Sequence, residues 1–279
     1  NEVVGLEAIC ALPGNEECSV ELADSILDEA AKFASGVLDP INAAGDRQGA
    51  VCKDGVVTTT PGFRDAFRQY AEGGWQGLQH PADFGGQGLP FAIQTAVLDT
   101  LGSANMGFAL CPTLTVGAIE ALIHHGTPDQ QAQYLPHLAT GAWTGTMNLT
   151  EPQAGIDVGA LRSTAKPLGD GKWSIKGTKI YISFGDHDMA DNIVHLVLAR
   201  PKGVEGIGGP GTKGLSLFLV PKYHFDVETG ELTGARNGAY VTNVEHKMGL
   251  KVSATCELTL GQHGTPAVGW LVGEVHNGI

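Results

Sequence analysis

MNLTEPQAGIDVGALRSTA, from Met147 to Ala165, and IKGTKIYISFGDHD, from Ile175 to Asp188, set Thr-Glu-Pro, a glycine and an aspartate between apolar runs, then return with an aromatic strand. The hydrophobic period around them is two. WTGTMNLT, KWSIKG, KIYISFG, NIVHLVLAR, GLSLFLVPK, YVTNVEHKMG, TCELTLG and AVGWLVGE are short β-rich runs parted by Gly, Pro, Asp and Asn clusters. Short strands at this spacing predict a sandwich or a barrel.

Upstream of Gly141 the period is 3.6. SVELADSILDEAAKFASGVLDPI lays Val20, Ile26, Leu27, Ala30, Phe33, Val37 and Leu38 along one helix face, with Ser19 as its cap. TPGFRDAFRQYAEGGW predicts a short helix capped by Thr60, with Phe63, Phe67 and Tyr70 on one face and Gly73-Gly74 ending it. PFAIQTAVLDTLGSAN and the stretch from Pro112 to Gly141 predict three more helices, one stopped by Gly126 and the last started by Thr127-Pro128-Asp129. The expectation is therefore an α+β chain of two domains. Residues 1–140 form a helical domain and residues 141–279 a β-barrel-like one.

The chain has 279 residues, 42% of them hydrophobic, enough for a sizeable core. Its net charge of −13 argues against a nucleic-acid surface, which needs concentrated Lys and Arg. No run of about 18 apolar residues is evident, so a soluble chain without a membrane span or leader is expected. Cys10, Cys18, Cys52, Cys111 and Cys256 are odd in number and never spaced C-x-x-C, which predicts idle thiols in a reducing cytosol rather than disulfides or zinc. The opening NEVVGLEAI and the abrupt GEVHNGI read as cut ends.

Several chemistries lack their grammar. GVEGIGGPGTKG, from Gly203 to Gly214, is rich in glycine, but Thr212 precedes Lys213 and a strand follows, so it reads as a mobile hairpin connection and not a phosphate loop. The ten histidines, His124, His125, His187, His195 and His246 among them, show no metal-ligand spacing. There is no G-x-S-x-G elbow, and no G-x-G-x-x-G runs from strand into helix. The Met147–Ala165 stretch offers more. Gly155 permits close backbone approach, Thr150 a hydroxyl, and Asp157 a brace for the turn, which suits a flat, polar-edged ligand as well as it suits a plain hairpin.

At NLTEPQAGIDVGAL, IKGTKIYIS and NIVHLVLAR the chain resembles the acyl-CoA dehydrogenase family. GLQHPADFGGQGLP, HGTPDQQAQYLPHLATGAWTGTMNLTEPQAG, GTKGLSLFLVP and VEHKMGLKVSATCELTL follow in the family's order and cover nearly the whole chain. EHKMG and EVVGLEAI look most like the larger subfamily that includes 3-methylmercaptopropionyl-CoA dehydrogenase. The resemblance implies a helical domain, a β-barrel-like middle domain and a C-terminal four-helix domain, the last absent from this sequence.

It also implies FAD, contacted by Met147, Leu149, Thr150, Gly155 and Ile156, with Tyr181 in place of a Trp over the isoalloxazine and Ser183 in place of a Thr near its reactive nitrogen. Ile156 stands where Ser or Thr usually serves the pyrophosphate or the CoA arm, so its contact to cofactor and substrate is expected to be altered. Phe184 is expected to crowd the flavin edge. The implied reaction is α,β-desaturation of an acyl-CoA thioester in fatty acid metabolism, with electrons passed to an electron-transferring flavoprotein. The implied assembly is a homodimer or tetramer and the expected location cytoplasmic. The family's catalytic Glu lies in the C-terminal helices, so no catalytic base is assigned here, and the chain alone is expected to be inactive. Glu151 and Glu245 are expected to make structural ion pairs. The alternative is a non-catalytic acyl-CoA or protein-binding module on the same scaffold.

Overall fold

A computed structural model describes residues 3–204, 209–262 and 264–279. Helices α1 (Leu6–Cys10), α2 (Val20–Phe33) and α3 (Asp39–Gln48) come first, with a π turn over Ala34–Leu38 joining the last two. Ser19 caps α2 as its sequence predicts, its Oγ accepting the Leu22 N–H at 3.1 Å. Cys10 and Cys18 are paired across the α1–α2 turn, their Cα atoms 5.0 Å apart, which corrects the expectation of five idle thiols. A pair facing across a turn leaves no signature in C-x-x-C spacing. Cys52, Cys111 and Cys256 remain free.

A hairpin of β1 (Val51–Lys53) and β2 (Val56–Thr58), unforeseen in the helical half, turns at Asp54-Gly55, both at positive φ. Helix α4 (Phe63–Glu72) follows. Phe63, Phe67 and Tyr70 are buried on one face, but the cap is Gly62 and not Thr60. Gly62 has φ 91°, and a Cβ there would lie 2.9 Å from Ile41, so packing against α3 dictates the residue.

Helix α5 (Phe91–His125) unites two predicted helices. Its backbone leaves helical geometry at Asn105, and Pro112 lies inside it. The Asn105 side chain bridges the kink, donating to Leu38 O and accepting from the Phe108 N–H, both at 3.1 Å. With a mean hydropathy of 1.7, α5 is long and apolar enough to cross a membrane by length and composition. The sequence reading missed this because Thr, Ser, Asn and Gly punctuate the stretch. The apolar surface serves two cores instead. Val97, Leu101, Phe108 and Cys111 join Phe63, Phe67, Tyr70 and residues of the second domain, while Ala118, Ile119 and Leu122 join strand residues beyond Gly141. Helix α6 (Pro128–Ala139) opens on Thr127 with a full capping box to Gln130.

From Trp143 onward the elements are strands: β3 (Trp143–Asn148), β4 (Thr164–Gly169), β5 (Lys172–Ser183), β6 (Asn192–Pro201), β7 (Ser216–Pro221), β8 (Tyr223–Phe225), β9 (Leu232–Arg236), β10 (Ala239–Val244), β11 (Thr255–Leu260) and β12 (Ala267–Val272). Pairing runs β5–β12–β7–β6–β4 and back to β5, which closes a barrel; β11 and β10 extend from β5, and β3 lies parallel to β6. The β5 strand fuses two runs that read separately. Of Gly203–Gly214, read as a mobile connection, residues 205–208 lie outside the described residues, and Gly211–Gly214 forms a 3₁₀ turn. The barrel packs closely on α5: a Cβ on Gly145 would stand 2.3 Å from that of Ala118, and the Gly145 N–H donates to Thr115 Oγ1 at 3.1 Å.

Candidate cofactor site

The two motifs that open the sequence reading meet at one edge of the barrel. Thr150 O accepts the Ile180 N–H at 2.9 Å, so the Thr-Glu-Pro loop runs beside β5 next to Tyr181. Beneath this junction lies a buried ion pair. Lys179 Nζ, fully buried, donates to Glu151 Oε1 and Leu149 O, each at 2.9 Å. Glu151 also accepts the backbone N–H groups of Arg162 at 2.7 Å and Ser163 at 3.0 Å, and Gln153 Nε2 at 2.7 Å. Burial alone would raise the Glu151 carboxyl, but the Ser163 and Arg162 donors and the Lys179 ammonium hold it at about 2. Burial lowers Lys179 from the ordinary lysine value, against the opposing pull of Glu151. Glu151 therefore has the structural ion-pairing duty expected of it. Among the described residues Glu245 forms no ion pair, which corrects that half of the expectation.

Above this staple the backbone presents side chains outward. Ile180 and Tyr181 together oppose the single residue Glu257 of β11, a bulge that re-aims β5. Tyr181 takes φ 60° there and is 60% exposed. An aromatic residue in the left-handed region is strained, and such strain concentrates at functional sites. Gly155 and Ile156 form an exposed loop tip; Ile156 is fully exposed. A Cβ on Gly155 would meet only Thr150 Cγ2, at 3.5 Å. Thr150 and Ser183 are half-buried, and neither hydroxyl has a hydrogen-bond partner among the described residues. Met147 and Leu149 are half-buried too and pack on the Trp143–Leu196 core. Phe184 departs from expectation. It takes φ 50° and is buried among first-domain residues, edge-on to His187 at 5.7 Å.

Sequence reasoning missed two fasteners. Lys179 was visible as a charge inside an apolar strand, which calls for a buried partner. Arg200 had no such signal. Its Nε donates to Leu161 O at 2.7 Å, and its Nη2 to Gly211 O at 3.1 Å and to Gly159 O, tying the loop after Gly155 to the Gly-rich segment. Deeper still, the Met189 N–H donates to His187 Nδ1, so Nε2 carries the proton toward Thr144 Oγ1 at 2.9 Å. Burial lowers His187 to about 4 and His195, bonded to Thr146 Oγ1 at 2.8 Å, to about 3. Among the described residues no three His, Cys, Asp or Glu side chains group as a metal site.

Family models for the acyl-CoA dehydrogenase N-terminal domain and middle domain match residues 21–142 and 146–262. The chain carries the N-terminal and middle domains of the acyl-CoA dehydrogenase family. It is 44% identical over 270 residues to 3-methylmercaptopropionyl-CoA dehydrogenase of Ruegeria pomeroyi, covering 96% of this chain and 44% of that protein. It is 45% identical over 281 residues to the broad-specificity linear acyl-CoA dehydrogenase FadE5 of Mycobacterium tuberculosis, covering 100% of this chain and 45% of that one. The chain thus spans a little under half the length of these relatives. Butyryl-CoA dehydrogenase of Megasphaera elsdenii shares the fold, with a TM-score of 0.72 at 22% identity, over 94% of this chain and 61% of that one. An acyl-CoA dehydrogenase complexed with FAD from Bacillus anthracis aligns with a TM-score of 0.71 at 25% identity, over 94% and 39%. The helical and barrel domains of the structure, and their order, are those of the acyl-CoA dehydrogenase family.

Proposed function

We propose that these domains hold FAD for the α,β-desaturation of an acyl-CoA thioester, with an electron-transferring flavoprotein as acceptor. The observation that carries the reading is the bulge that turns a strained, exposed Tyr181 outward beside the Thr150 loop. The residues fit the cofactor. The Tyr181 ring offers a flat apolar face, the Thr150 and Ser183 hydroxyls, without a partner among the described residues, offer polar edges, and Gly155 leaves room for close backbone approach. Bound FAD supplies the hydride acceptor that no side chain can provide. The chain's own part is to orient that ring system and keep the loop closed through Glu151, Lys179 and Arg200. Ile156 removes a hydroxyl from the loop tip, leaving backbone and Thr150 to serve polar ligand groups there. The proton-abstracting carboxylate falls to the C-terminal helices of the family. Named relatives act on thioether, linear and butyryl thioesters, which supports an acyl-CoA substrate of unassigned chain length. Oligomerisation and a cytoplasmic location are part of the same proposal.

The visible absorption spectrum of the purified chain, followed by identification of heat-released flavin, tests the reading. A flavin spectrum that yields FAD is expected. A colourless protein that takes up no added FAD would move the assignment to a binding module on the same scaffold.

A further inference from the structure

A deep cleft contains none of the residues placed at the cofactor site. About 760 Å³ in volume, it lies between the start of α6 and the barrel, walled by Tyr134, Trp173, Phe225 and Trp270 and edged by Asp129, Lys172 and His224. The size falls within the roughly 300–1,000 Å³ of small-molecule sites, which favour domain interfaces and aromatic walls with a few polar groups.

The polar groups left over in this cleft are mainly donors. Tyr134 is 3% exposed, its ring held edge-on by Phe225 at 5.1 Å and Trp143 at 6.2 Å, yet its hydroxyl has no hydrogen-bond partner among the described residues. The ring is buried but the hydroxyl is not sealed off: it opens on the cleft, where solvent or a ligand atom can accept its O–H. Among the described residues the indole N–H groups of Trp173 and Trp270 likewise meet no acceptor and Lys172 makes no ion pair. Lys172 stands near enough to His224 to help lower its proton affinity, after burial. Gln130, by contrast, is spent on structure: its amide is divided between the Thr127 N–H and Leu271 O. Asp129, the acidic group at the rim, is exposed in the first turn of α6, where the helix dipole offsets its charge.

We propose that this cleft is a second ligand site, independent of the flavin site, for a flat aromatic anion of mononucleotide size. The ring lies against Trp270 and Phe225, an acceptor takes the Tyr134 O–H, and the anionic group sits at Lys172. Such a ligand bridges the helical domain, through α6, and the barrel, through β5, β12 and the β7–β8 turn.

Tryptophan fluorescence of the chain, titrated with adenosine 5′-monophosphate and separately with 8-anilinonaphthalene-1-sulfonate, tests this. Saturable binding of at least one is expected, weakened about tenfold by Lys172→Gln and measurably by Tyr134→Phe, as loss of a charge-assisted and a neutral hydrogen bond implies. Adenosine without its phosphate should bind about as weakly to the parent chain as the nucleotide binds to Lys172→Gln. Both substitutions preserve side-chain bulk, and an unchanged melting temperature verifies the fold. Absence of saturable binding by either probe overturns the proposal. So does binding that is indifferent to both substitutions but lost in Tyr181→Ala, which would place the probes at the flavin face.

Discussion

The Thr-Glu-Pro junction has two sides built on opposite terms. Underneath, Glu151 accepts four donors and Lys179 serves two acceptors, both side chains buried. On top, Ile156 and Tyr181 expose apolar surface, and the Thr150 and Ser183 hydroxyls have no partner among the described residues. The lower side holds the shape, and the upper side is left available. A loop that must present groups at fixed positions without closing on itself needs that asymmetry.

The largest expected effect breaks the lower side. Lys179→Met leaves the Glu151 carboxylate buried without its cation and should destabilise the chain by about 3–5 kcal/mol in urea unfolding. Adding Glu151→Gln should restore part of that loss, because it removes the buried charge, although its single carbonyl oxygen can replace only one of the two carboxylate oxygens that accept from Arg162 and Ser163. A double variant no more stable than Lys179→Met would show that the pair acts through packing alone.

Acid should act next, and on the whole buried polar layer. The folded-state values of His187 (about 4), His195 (about 3) and Glu151 (about 2) all lie below their unfolded ones of 6.5, 6.5 and 4.5. The unfolded chain therefore binds more protons as pH falls, and stability declines from about pH 6.5 downward, with Glu151 adding its share below about 4.5. Melting temperatures measured from pH 7.5 to pH 4 should stay nearly level at first and fall below about pH 6.5, and a His195→Gln variant should show a shallower slope. A flat profile would mean that these groups titrate alike folded and unfolded.

The smallest effect sharpens the upper side. Tyr181→Gly relieves a left-handed aromatic residue and should stabilise the fold by about 1 kcal/mol. Flavin retention should meanwhile fall about two- to tenfold, in line with about 0.5–1.5 kcal/mol for a lost aromatic contact. Stability and affinity moving in the same direction would deny Tyr181 its presenting role.

Much of this was readable from the chain. The period change near Gly141 marked where helices give way to strands, because side-chain alternation is a local property. Ser19, Gly126 and Thr127 announced helix ends for the same reason. What escaped was set by distant neighbours. Gly62 displaced Thr60 as a cap because Ile41 crowds it, Asn105 let one helix continue through a kink by borrowing Leu38, and Phe184 turned inward on a backbone angle no propensity favours. At the site, the motifs pointed to the loop and to β5, but the bulge opposite Glu257 and the Arg200 clamp depend on strand register, which sequence alone leaves open.

The double membership of α5 bears on how the molecule can be taken apart. Its first half is wedged among Phe63, Phe67 and Tyr70, and its second half stands against β3 at the Gly145–Ala118 contact. The place where the sequence changes character is thus not a place where the protein can be divided. A crossover at residue 141 between two homologues would join complementary halves on paper while severing a shared core. Recombinants that carry α5, α6 and β3 together from one parent should be the ones that fold.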